Sequence, residues 1–108
     1  MFGAEPSYQY MAVIRKEPGE PELHSDWDDV VIVRSGTGVL QTGSELVGQR
    51  LMSPGNWRGG TIQHSDTRQL SEGDIVVIPA GIAHQFTPSG TRPLTYWAVK
   101  GHAVNAAH

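Results

Sequence analysis

The chain reads as an all-β domain, and three observations carry that reading. Thirteen Gly and seven Pro among 108 residues cut it into short segments. No stretch repeats apolar residues at helical spacing. The segments between the breaks, such as 29–34, 75–78 and 94–100, are rich in Val, Ile, Tyr and Trp, which fit a pleated surface. Seven or eight such strands with turn signals between them predict a β-sandwich or barrel. The length fits one domain over 1–108.

Taken in order, residues 1–7 read as a loose arm and 10–15 as the first strand, ended by Lys16-Glu17-Pro18-Gly19-Glu20-Pro21. Pro21 sets an extended entry to a short strand in which Glu22 and His24 share a face, because side chains two apart point the same way. Residues 25–28 are polar and turn-like. In the strand at 29–34, Asp29, Val31 and Val33 share one face. Ser35-Gly36-Thr37-Gly38 turns into a strand at 39–41, and Thr42-Gly43-Ser44 turns again. Residues 51–60 hold Pro54, Gly55, Gly59 and Gly60, so an irregular loop over a mouth of the barrel is expected, followed by a short strand at 61–64.

Ser71-Glu72-Gly73-Asp74 is a turn, and residues 75–78 are apolar on both faces of the pleat, which predicts burial on both. Pro79-Ala80-Gly81 reads as a type I turn with Pro second and Gly fourth. Beyond it Ile82, His84 and Phe86 share a face, aiming the His84 imidazole into the apolar interior. The closing strand puts Leu94, Tyr96 and Ala98 on one side. Residues 102–108 form a short tail in which His102 and His108 have no expected role.

The series Gly73, five residues, Pro79, one residue, Gly81, two residues, His84 resembles the second sequence motif of the cupin family. The family's Asn beyond it is Pro88 here. Upstream, residues 22–36 resemble the first cupin motif in altered form. Glu22 stands where the family has its first histidine, His24 at the second, Asp29 at the glutamate and Gly36 at the glycine, with Lys16 in place of an earlier glycine. The resemblance spans residues 16–88 and implies a jelly-roll barrel, the double-stranded β-helix of cupins. It also implies convergence of Glu22, His24, Asp29 and His84 inside that barrel. Small single-domain cupins with an Arg-Gly-Gly stretch between the motifs are similar to this chain as well.

Those four residues are the expected metal ligands. His24, His84 and Asp29 make two histidines and one carboxylate, the donor set of non-haem iron sites with open positions. Glu22 is a fourth ligand or a catalytic general base. Asp29 is one methylene shorter than the family's glutamate, which shortens its reach. A divalent ion (Fe, Mn, Zn or Ni) is the implied cofactor, and the alternative is a hydrogen-bonded His24–Asp29 pair with no ion. Weaker pocket candidates are Arg58, Tyr96, Gln85 and His64. Arg58 is either a carboxylate clamp beside Trp57 or a solvated loop cation, and His64 either a surface histidine or a residue at the cavity mouth. Trp27, Trp57 and Trp97 are packing or interface residues first.

Two functions remain open. One is a metal-dependent enzyme of dioxygenase, isomerase or lyase type acting on a small molecule. The other is a non-catalytic binding or sensing module with the same cavity. A formal net charge of −3 with scattered Lys and Arg gives no basic face for nucleic acid. There is no cysteine, the aliphatic runs are far too short to span a membrane, and no leader pattern is visible, so a cytoplasmic location is expected. Strands apolar on both faces need an outer cover, and cupin resemblance implies that a homodimer supplies it.

Overall fold

The computed structural model describes residues 8–102, with side chains over 9–101. The arm expected at 1–7 and the tail beyond 102 lie outside the described residues. Ten strands follow one another: β1 Tyr8–Arg15, β2 Glu22–His24, β3 Trp27–Ser35, β4 Gly38–Val47, β5 Arg50–Ser53, β6 Asn56–Arg58, β7 Thr61–Leu70, β8 Ile75–Ile78, β9 Ala83–Pro88 and β10 Leu94–His102. They form a four-stranded sheet in the order β1-β10-β3-β8 and a six-stranded sheet in the order β5-β6-β2-β9-β4-β7. Every pairing is antiparallel. This is the expected jelly roll.

The main core lies between the sheets. Val31, Val33, Leu40, Leu70, Val76, Ile78, Phe86, Leu94, Tyr96 and Ala98 form one buried cluster. The predicted faces of β3 and β10 therefore hold, since both alternate as a period of two demands. β8 does not follow its prediction. Val76 and Ile78 are buried, but Ile75 is 65% exposed and Val77 60%. A continuous apolar run marks burial on both faces only when something covers the second one, and nothing among the described residues covers that side of β8.

Residues 42–44 are not a turn. β4 runs straight through them and pairs with β7 in one register from Gly38↔Leu70 to Val47↔Thr61, the ladder interrupted only at Ser44 and His64. His64 sits there with φ 54, a local bend in β7 rather than a reversal of β4. A Cβ on Gly43 would meet Ile62 Cγ2 at 2.4 Å, so this crossing needs a residue without a side chain. Past the bend, Leu46 and Ile62 pack with Ala83, Leu23 and Trp57 as a second cluster. Ala83 and Leu23 are chain neighbours of His84 and His24, so by alternation this cluster backs the strands on the face away from those histidines.

Residues 51–60 also depart from expectation. They contain a hairpin, β5–β6, reversing at Pro54-Gly55, with β6 paired on the edge of β2. The turn after β8 is shifted by one residue: Ile82 N–H donates to Pro79 O, and Gly81 takes the third position with φ 85. That positive φ is the type II requirement. Gly81 N–H also donates to His24 O at 2.8 Å, tying the turn to β2.

Candidate metal centre

Three short elements bring the polar set together. β2 supplies Glu22 and His24 two residues apart, and β9 supplies His84, whose backbone lies directly opposite Glu22. The ligand atoms of Glu22, His24 and His84 all lie within 4.8 Å of one another. Asp29 comes from β3 in the facing sheet. Its Oδ2 is 3.8 Å from His84 Nε2 and 4.0 Å from His24 Nε2. The compact group thus holds Glu22 as its carboxylate, with Asp29 standing across the gap, a different division from the His24–His84–Asp29 triad expected from the motifs. His24, Asp29 and His84 are buried, and the Glu22 side chain is partly buried at 14% exposed.

Hydrogen bonds settle how the two imidazoles face. The Asn56 amide nitrogen donates to Ser53 Oγ at 2.8 Å and approaches the Pro54 carbonyl, so its Oδ1 must be the atom 2.8 Å from His24 Nδ1. His24 Nδ1–H therefore donates to Asn56. His84 Nδ1–H donates to the Ile82 carbonyl at 3.1 Å. Both rings consequently turn Nε2 toward the carboxylates of Glu22 and Asp29. Two lone pairs directed at two carboxylates repel one another unless a cation or protons lie between. His24 Nε2 and Asp29 Oδ1 are indeed buried without hydrogen-bond partners among the described residues. The residues fit a divalent ion.

The electrostatics follow from burial and these contacts. Burial opposes the charge of Glu22, yet contact with His24 and the charges of His84 and Arg58 overcome it and hold the carboxyl at about 2. The 3.4 Å approach of Glu22 Oε1 to His24 Nε2 is an ion-pair contact rather than an aligned hydrogen bond. It raises His24 above the ordinary histidine value against the effect of burial. Burial pushes Asp29 up and His84 down.

These groups line one cavity of about 180 Å³ together with Arg15, Arg58 and Lys100 and an apolar wall that includes Met11, Val13, Phe86 and Tyr96. Of the weaker candidates, Arg58 and Tyr96 reach this cavity. Gln85 does not line it and instead donates to Gly19 O. His64 is exposed on β7, away from the cavity. Three contributors escape the sequence reading: Arg15, which donates to Tyr96 Oη at 3.2 Å and lies 3.6 Å from Glu22; Lys100, paired across β10–β3 with Asp29; and Asn56. Parity in β10 does place Lys100 with Tyr96 and Ala98, which is the one signal that marks it.

No family model matches the sequence, and no curated protein matches it significantly. Solved structures do match. A protein from Bacillus halodurans is 18% identical with a TM-score of 0.65, over 91% of this chain and 64% of its own. Hydroquinone 1,2-dioxygenase from Sphingomonas sp. TTNP3, solved with 4-hydroxybenzoate, is 12% identical with a TM-score of 0.68, over 94% of this chain and 64% of its own. A cupin-2 domain protein from Shewanella frigidimarina is 20% identical with a TM-score of 0.58, over 92% and 74%. The chain thus spans just under two-thirds of the first two structures. Likeness at these identities speaks for architecture rather than chemistry, and together with the two facing antiparallel sheets it shows that this chain has the cupin fold.

Proposed function

We propose that the protein binds one divalent ion (Fe, Mn, Zn or Ni) through His24, His84 and Glu22, and acts on a small molecule within the barrel. The observation that carries this reading is the shared orientation of the two histidines, each committing Nδ1–H to an oxygen and presenting Nε2 to a carboxylate. Structures with the same architecture include the dioxygenase above and an oxalate decarboxylase. An ion in this donor set supplies Lewis-acid or redox chemistry.

The chain's own residues divide the remaining work. Glu22, held at about 2, stays ionised throughout the neutral range. A general base works best with a pKa near the working pH, so Glu22 suits a ligand or fixed charge better than the proton-carrying role its sequence position first implies. Asp29 is the carboxylate raised by burial, and its Oδ1 has no hydrogen-bond partner among the described residues, which makes it the group suited to hold or move a proton. Phe86 stacks on Tyr96 at 4.6 Å and, with Met11 and Val13, gives an apolar body its binding surface.

A second reading has its own support. Because His24 titrates above its ordinary value, a proton on Nε2 directed at Glu22 would satisfy that nitrogen in a metal-free binding module. Elemental analysis of untagged protein purified without chelator separates the two. Near-stoichiometric metal is expected, lost in His84→Ala and bound about 10–100-fold more weakly in Asn56→Ala, which removes the partner of His24. Protein that takes up no ion even after incubation with each of the four is the binding module.

The proposal extends to a homodimer. Cross-strand rows Tyr10–Val99–Val30–Val77 and Ala12–Trp97–Ile32–Ile75 run across the outer face of the four-stranded sheet, apolar from edge to edge. A second copy of that face is the complementary cover.

A further inference from the structure

The cavity lining carries three cations, Arg15, Arg58 and Lys100, against two carboxylates, Glu22 and Asp29. This local excess of positive charge lies within a chain whose formal net charge is −3. The three cations are not equally engaged. Arg15 is held by Glu22 and Tyr96. Arg58 approaches Glu22 only through Nε, at 3.9 Å, and its two terminal nitrogens have no partner among the described residues; the side chain is 51% exposed. Lys100 has no ion pair within 4.0 Å and no side-chain hydrogen bond among the described residues. Arg50, one strand away on the same hairpin, shows what a committed arginine looks like, with a terminal nitrogen 2.9 Å from both oxygens of Glu20.

Position adds to availability. A second hollow, lined by Gln9, Trp27, Met52, Ser53 and Asn56, shares His24, Arg58 and Lys100 with the central cavity. Arg58 and Lys100 therefore stand where the two spaces adjoin, while the apolar wall of Met11, Val13, Phe86 and Tyr96 belongs to the central cavity alone. Cations only loosely engaged by the protein's own carboxylates, at a cleft entrance, focus field and raise the local concentration of anions. A guanidinium beside an ammonium matches a planar carboxylate, the first through a two-pronged contact and the second as a point charge.

We propose that Arg58 and Lys100 form an anion-recognition pair at the cavity entrance, selecting small organic carboxylates whose apolar body lies along Phe86 and Tyr96. This names the substrate class for the site proposed above and rests on that reading for any reaction, though not for binding. A phosphate monoester shares the charge but carries more of it, and the cavity already holds Glu22 and Asp29; carboxylate is the class the charge balance favours.

The test is calorimetric titration of wild-type protein, both chelator-treated and loaded with metal, with acetate, malonate and benzoate, each beside its neutral amide, and with inorganic phosphate. At least one carboxylate is expected to bind at least about tenfold more tightly than its amide. Arg58→Gln and Lys100→Gln are each expected to remove about tenfold of that preference while changing amide binding far less. Binding should also weaken as salt is raised. Equal affinity for acids and amides, unchanged preference in both variants, or tighter binding of phosphate than of every carboxylate overturns the proposal. Metal uptake is read separately by elemental analysis. Carboxylate preference without metal leaves the entrance pair standing and removes the metal reading; metal without carboxylate preference does the reverse.

Discussion

Glu22 is the residue whose surroundings alter its chemistry most. Its folded value of about 2 lies below the ordinary 4.5, so the folded state gains stability as pH rises through that interval. The gain is complete above the ordinary value and is lost as pH falls toward 2. At about 1.4 kcal/mol per unit it is worth at most about 3.5 kcal/mol. Glu22→Gln in chelator-treated protein is expected to flatten the rise of unfolding free energy between pH 2 and 4.5; parallel curves for variant and wild type would mean the carboxylate adds nothing there. Glu22, His24, Asp29 and His84 are legible in the sequence because each lies on a strand whose period of two is unbroken and within motif spacing. Arg15 and Lys100 are not, because their contacts depend on strand register: Arg15 meets Tyr96 across 81 residues of chain. Asn56 is hidden for another reason, since Pro54 and Gly55 read as loop when they are the reversal of a hairpin.

At the scale of elements, two glycines do different work. Gly81 holds φ 85 in the turn that leads to His84, with nothing within 4 Å of an added Cβ. Gly43 has no such φ, but a Cβ there meets Ile62 Cγ2 at 2.4 Å and Gln63 O at 2.6 Å. Gly81→Ala should therefore cost about 1–2 kcal/mol, the strain of a left-handed residue alone. Gly43→Ala should cost more, about 3 kcal/mol, because a rigid backbone oxygen and a branched side chain must both move. Urea denaturation gives the order, and a smaller cost at Gly43 would mean that the β4–β7 ribbon does not cross so closely. Glycine in sequence reads equally well as a turn or as a bare crossing point. That ambiguity is why residues 42–44 signal a reversal and the chain passes straight through.

The whole molecule presents an asymmetry between its sheets. The outer side of β2 and β9 is backed by Leu46, Ile62 and Trp57, whereas the outer side of the four-stranded sheet leaves Tyr10, Ile14, Ile75 and Val77 at least 60% exposed. An apolar face of this continuity is the surface on which the proposed homodimer would form. Sedimentation at micromolar concentration is expected to give a dimer of the 11.7 kDa chain, and Val77→Glu, which puts a charge at the centre of the face, a folded monomer. A monomeric wild type would leave the outer rows without the proposed partner. The sequence shows these residues as apolar, but it cannot show that nothing among the described residues covers them, which depends on where the β4–β7 ribbon folds.

β2 is three residues long and meets β9 at one backbone pair, Glu22 opposite His84. Those same two residues belong to the compact ligand group. An ion gripped by both side chains would add a second crosspiece at the very point where the sheet is thinnest. The amide protons of β2 would then exchange more slowly with solvent while the ion is held, and the backbone itself would register whether the protein is loaded.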